Sequence, residues 1–120
     1  MKLRIDEKGN SKIAIISSDE LIIRDTQDAL DLMVTAQYNG CNKLVLYKEN
    51  IIDDFFDLKT GIAGEILQKY VNYNVKVAIV GEFYSYQSKS LNDFIYECNN
   101  GRQIFFTNSV QEAVDKLHSL

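Results

Sequence analysis

The chain has 120 residues, enough for one domain whose core needs neither disulfides nor a structural metal. Its composition, 46% hydrophobic and 25% charged, is that of a globular protein, and no apolar run approaches the ~20 residues that span a bilayer. A net charge of −4, with the 13 Lys and Arg scattered and never in a block, argues against a nucleic-acid-binding footprint. The start, Met1-Lys2-Leu3-Arg4-Ile5-Asp6, lacks the apolar stretch of a signal peptide, so a cytoplasmic location without membrane attachment is expected.

Residues Lys2–Asp6 and Lys12–Ser17 read as two strands joined through Gly9-Asn10, a pair that tolerates the positive φ of tight hairpin turns. Ile13-Ala14-Ile15-Ile16 is apolar on both faces and belongs inside a sheet. Asp25 or Thr26 caps a helix to about Tyr38, with Ala29, Leu30, Leu32, Met33 and Ala36 at helical spacing and Asn39-Gly40 as a left-handed stop.

Lys43–Tyr47 and Val75–Val80 are apolar strands, and between them lie a polar loop, Lys48 to Gly61, and an amphipathic helix. The inward stripe of that helix is Ile62, Ile66, Leu67, Tyr70 and Val71. A second loop, Gly81–Gln87, precedes a helix capped by Ser88 or Ser90, with Leu91, Phe94, Ile95 and Cys98 inward. Ile104-Phe105-Phe106 is a short strand, and Ser109-Val110-Gln111-Glu112 is a capping box that opens the final helix.

The order β-β-α-β-α-β-α-β-α, without linker or repeat, predicts an α/β domain over residues 1–120. Its sheet is mostly parallel, with an antiparallel N-terminal hairpin strand. Crossovers of this kind place both polar loops at the carboxyl edge of the sheet, where open α/β proteins usually keep their sites. The expected contact face therefore combines Asp53–Gly61 with Tyr84, Ser85 and Tyr86.

Within it, Thr60 and Gly61 stand at the start of a helix, where free N–H groups and the dipole suit a helix cap or a phosphate. A phosphothreonine would add roughly −1.5 to −2 charges beside Asp57. Asp53, Asp54, Asp57 and Glu65 form a carboxylate group whose spacing matches no metal motif; a solvated acidic face is the plainer reading. Lys59 and Lys89, at the heads of two helices, are placed to receive an anion. Tyr84 and Tyr86, at i and i+2 in a loop, are expected to project into one region and make a contact surface.

Cys41 and Cys98 sit in different elements and, beside one histidine, make no conventional zinc site; they read as reduced, buried thiols. No cofactor or metal is expected. His118 has no nucleophile or acid near it in sequence and lies on the C-terminal fringe, so no catalytic group is assigned to it. Ser17-Ser18-Asp19-Glu20 reads as the turn after the second strand.

The element order resembles the STAS domain of sulphate transporters and anti-sigma factor antagonists, and that resemblance implies a regulatory, protein-binding role. The STAS phosphoacceptor motif is Asp-Ser-Ser/Thr-Gly. Here Asp57, Thr60 and Gly61 match in type, with one residue inserted and Lys59 in a serine position. The run Asp54-Phe55-Phe56-Asp57-Leu58-Lys59-Thr60-Gly61, the run Ala63–Lys69 and the segment Asp93-Phe94-Ile95-Tyr96-Glu97 are similar to a bacterial family catalogued as a domain of unknown function, DUF4180. That family implies no activity.

The sequence therefore leans towards a small cytoplasmic STAS-like module that binds a protein partner, with Thr60 as a phospho-switch. Asp54, Asp57, Lys59, Thr60, Gly61, Glu65, Tyr84, Ser85 and Tyr86 are its binding residues. The alternative is an enzyme or small-ligand binder using the same two loops, without a nameable ligand. Self-association through a sheet edge or helix face is a third possibility.

Overall fold

The computed structural model describes residues 1–120. Five strands form one sheet: β1 (Lys2–Lys8), β2 (Ser11–Ser17), β3 (Lys43–Tyr47), β4 (Lys76–Val80) and β5 (Ile104–Thr107). Four helices connect or follow them: α1 (Thr26–Tyr38), α2 (Ile62–Asn72), α3 (Lys89–Asn99) and α4 (Val110–His118). Strand β1 pairs antiparallel with β2, and every later pairing is parallel, as the element order predicts.

The local signals act as their chemistry requires. In the hairpin Lys8 pairs directly with Ser11, and Gly9 alone takes a positive φ of 59°. Asn10 does not, so the turn follows the type II′ pattern rather than one that is left-handed at both positions. The Asp25 carboxylate accepts the Asp28 N–H at 2.9 Å and starts α1; Gly40, at φ 80°, ends it. Ser88 and Ser109 cap α3 and α4 through the N–H groups of Leu91 and Glu112.

Strand order in the sheet is β1-β2-β3-β4-β5, the order in the chain. Right-handed crossovers that all advance in one direction place their helices on one face. Accordingly, α1, α2 and α3 pack on a large core with Ala14, Ile16, Leu44, Leu46, Val77, Ile79 and Phe106. The alternate residues Ile13, Ile15, Val45, Ala78, Val80 and Phe105 form a second core with Ala113, Val114 and Leu117 of α4. On α3 only Leu91 is fully buried; Phe94, Ile95 and Cys98 are half-buried against the first core, and Val71 of α2 is exposed.

A strand order that never reverses has no topological switch point, the place where doubly wound folds open a crevice for a ligand. Whatever recess the carboxyl edge has must therefore be built by its loops. No helix is long and apolar enough to cross a membrane.

Candidate functional site

Three consecutive 3-10 turns, over Lys48–Asn50, Asp53–Phe56 and Leu58–Thr60, carry the chain from β3 to α2. Phe55 and Phe56 anchor the middle turn in the core, with ring centroids 4.9 Å apart in an edge arrangement, while Asp53, Asp54 and Asp57 stay exposed. Two adjacent aromatics thus pin a segment whose carboxylates remain solvated. The Asp57 carboxylate accepts the Lys59 N–H at 3.3 Å and begins the third turn.

Thr60 does not occupy the cap position of α2; Gly61 does, at φ 77° and without a side-chain bond. The chain must pass through the left-handed region to leave a 3-10 turn and enter the helix, and glycine does so without a Cβ penalty. The Thr60 hydroxyl works one residue earlier. It lies 2.7 Å from the Asp54 carbonyl and 2.9 Å from the Asp57 carbonyl, sharing its one proton between them. Its oxygen accepts the Ile62 N–H at 3.3 Å. One hydroxyl therefore joins two 3-10 turns to the first residue of a helix.

The aromatic loop turns over Phe83–Tyr86, with the Tyr86 N–H donating to the Phe83 carbonyl at 3.4 Å. The Glu82 carboxylate braces this turn by accepting the Ser85 N–H at 2.7 Å and the Ser85 hydroxyl at 2.9 Å. Those bonds, the backbone one foremost and with the Lys48 charge nearby, hold the Glu82 carboxyl below the usual range.

Tyr84 and Tyr86 do not project together as the loop reading expects. Inside a tight turn, positions i+1 and i+3 diverge. Tyr84 is 89% exposed at the tip, whereas Tyr86 stacks on Phe56 with centroids 5.8 Å apart.

Lys48 is the residue that sequence reading misses. Its ammonium donates to the Glu82 carbonyl at 2.7 Å and lies 4.6 Å from the centroid of the Tyr86 ring. The partners are 34 residues or more away, so no local pattern announces the contact. Lys48 divides two open depressions. One, of ≈ 560 Å³, has Asp53, Phe56, Asp57, Ser85, Tyr86 and Ser88 on its walls; the other, of ≈ 430 Å³, lies between Leu21, Tyr47, Ile51, Val80 and Gly81.

The structure thus brings Asp57, Ser85 and Tyr86 together. Asp54, Lys59, Thr60, Gly61, Glu65 and Tyr84 line neither depression. Lys89 pairs with Asp93 at 2.7 Å in an exposed bridge one turn along α3. The Ser18 carbonyl accepts the side-chain amide of buried Asn50 at 2.8 Å, tying the segment after β2 to the first 3-10 turn. No three His, Cys, Asp or Glu side chains converge as a metal site would require. Burial pushes the thiols of Cys41 and Cys98 up, the latter to about 11, so both remain protonated at neutral pH.

The sequence model of the domain of unknown function DUF4180 matches residues 8–117. The chain belongs to that family. Among solved structures, the DUF4180 chain is similar to a Thermotoga maritima protein provisionally described as an anti-sigma factor antagonist. The two share 15% identity and a TM-score of 0.51, over 97% of this chain and 94% of that one. At that identity the likeness is one of fold, and the DUF4180 domain is an α/β domain of STAS-like architecture. No curated protein matches the chain in sequence.

Proposed function

We propose that this DUF4180 domain is a regulatory module that binds a protein partner at the carboxyl edge of its sheet, with Thr60 as a switch beside the contact face. The observation that carries the reading is Tyr84: a large aromatic side chain, 89% exposed, on a turn braced by two hydrogen bonds from Ser85 to the Glu82 carboxylate. A tyrosine has only two side-chain torsions to fix, so it loses little entropy on docking while burying a large area, which is how interface anchors work. The open depression beside it, walled by Asp53 and Asp57, suits a basic group of the partner. An enzyme reading of the same loops is less well supported, since Glu65 and Tyr84 do not converge on Asp57 and no strand reversal makes a crevice. The role described for the Thermotoga protein of like fold points the same way.

A phosphate on Thr60 would remove the proton that the Asp54 and Asp57 carbonyls share and set negative charge against them. The 3-10 turns would come loose, and with them the acidic wall of the depression.

The test is capture from the native host by the full chain, by a Tyr84→Ser/Asp57→Arg double variant and by a Gln111→Arg control on α4. A protein retained by the wild type and the control but lost from the double variant supports the reading. Equal retention by all three overturns it. Mass spectrometry of the native protein tests the switch separately: a Thr60 free of phosphate under every growth condition removes the switch and leaves the docking site standing.

A further inference from the structure

The opposite, amino edge of the sheet carries a chain of polar groups that the docking reading does not use. Asp6 lies on β1, Ser11 and Lys43 are the first residues of β2 and β3, and His118 is the last residue of α4. Their register puts them on one face. Asp6 pairs with Ile13, Ile13 pairs with Lys43, and Ile13 belongs to the core that α4 covers.

His118 Nε2 lies 2.7 Å from an Asp6 carboxylate oxygen, and Nδ1 lies 2.7 Å from the Ser11 hydroxyl oxygen. The imidazole side chain is 6% exposed, so these two bonds set its orientation. A carboxylate only accepts, which puts an imidazole proton on Nε2; in the neutral ring Nδ1 then accepts the Ser11 proton. Hydroxyl, base and orienting acid within hydrogen-bond reach are the requirements of an activated nucleophile, whatever their order in the chain.

Lys43 adds a second element. It is buried, it forms no ion pair, and its ammonium donates to the Ser11 oxygen at 2.8 Å. A buried positive donor on the serine oxygen favours loss of its proton, because negative charge gathers on that oxygen as His118 accepts it. Burial also lowers the lysine from its ordinary range, with Lys76 adding to the effect. The pair is not sealed: Ser11 and Lys43 border an open depression of ≈ 360 Å³ together with Lys8, Asn10, Asn42 and Leu120.

We propose that Ser11 is the nucleophile of an esterase-type site for small acyl esters, with His118 as base, Asp6 as its positioning residue and Lys43 as the charged donor that activates the Ser11 oxygen. The Ser11 oxygen attacks the ester carbonyl as its proton passes to His118 Nδ1. The bond from carbonyl carbon to alcohol oxygen breaks, and the departing alcohol takes that proton. Water then cleaves the acyl-Ser11 ester by the same base, releasing the acid.

The test uses the full unaltered chain and a fluorophosphonate probe, followed by mass spectrometry. The Ser11 oxygen–phosphorus bond forms as the phosphorus–fluorine bond breaks, with the proton again going to His118. A single adduct on Ser11, absent from urea-unfolded chain, supports the site. No adduct on Ser11, or labelling spread equally over serines and equal in the unfolded chain, overturns it. Hydrolysis of p-nitrophenyl acetate gives the second readout: it should vanish in Ser11→Ala and fall about 100-fold or more in His118→Asn. Turnover that survives Ser11→Ala overturns the assignment even if the probe labels the serine. Labelling is read on the unaltered chain, so a variant that fails to fold leaves that readout intact.

Discussion

The side chain of Lys48 lies across Gly81 so closely that a methyl group there would sit 2.6 Å from the Lys48 Cβ and 3.0 Å from its Cδ. Gly81 thus serves close approach rather than a left-handed backbone, and it lets the lysine reach Glu82 and Tyr86. Gly81→Ala should cost on the order of 1–3 kcal/mol, the usual penalty for forcing packed atoms apart. The double-mutant pattern is specific. The cost should persist in a Lys48→Ala background, because the nearest clash is with Cβ, and disappear in Lys48→Gly. Urea unfolding of the four combinations checks it, and a penalty that survives in Lys48→Gly would mean that another contact is responsible.

Thr60 gives a prediction independent of any phosphate. Thr60→Val keeps the shape but removes the proton shared by the Asp54 and Asp57 carbonyls, and the acceptor for the Ile62 N–H. The expected loss is about 0.5–1.5 kcal/mol, typical of an intramolecular hydrogen bond. Thr60→Ser should recover most of it. Amide exchange at Ile62 should quicken in the valine variant and stay slow in the serine variant; equal exchange in both would show that the hydroxyl does not hold the helix start.

Most of the framework is legible in local sequence because its signals are local. Asp25, Ser88 and Ser109 cap the helices they precede, Gly40 ends α1 at positive φ, and the all-apolar run Ile13–Ile16 lies between two neighbouring strands. The site is less legible. Lys48 looks like any surface lysine until Glu82 and Tyr86 are folded over it. His118 acquires Asp6 and Ser11 only because α4 returns to the amino edge beside the hairpin, 112 and 107 residues from those partners. Tyr84 and Tyr86 are separable only once their loop closes as a turn on Glu82, a detail that a run of aromatics does not encode.

The acid limb of stability should depend on Glu82 and Asp28. The Ser85 bonds hold the Glu82 carboxyl low, and the Arg24 backbone N–H and guanidinium do the same for Asp28. A carboxyl with a depressed folded value stabilises the fold above its unfolded value and loses that contribution as pH falls through the folded one. The reference values are 4.5 for Glu82 and 3.8 for Asp28. Glu82→Gln and Asp28→Asn should each lower the thermal midpoint at neutral pH. The gap to wild type should then close on acidification, as the wild-type carboxylates protonate. A gap that stays constant down to strongly acidic pH would assign the effect to shape rather than charge.

Tyr70 governs the alkaline side. It is fully buried on α2 and donates its hydroxyl to the Ala29 carbonyl of α1 at 2.8 Å, joining two helices that pack on the same face. Burial pushes the phenol far above its ordinary value of 10.0, and Cys98 is raised in the same sense from 9.0 to about 11. For such groups the unfolded chain releases its protons first while the folded chain keeps them. Their contribution is fully present below the unfolded values and is lost as pH rises towards the folded ones. Stability should therefore decline from about pH 9 upward, the thiol acting first and the phenol beyond about pH 10. Tyr70→Phe should cost about 0.5–1.5 kcal/mol at neutral pH, for the lost hydrogen bond. Above pH 10 its stability should fall less steeply with pH than that of the wild type. Urea midpoints from neutral to strongly alkaline pH separate the two effects, because parallel curves would place the alkaline loss in groups other than this phenol.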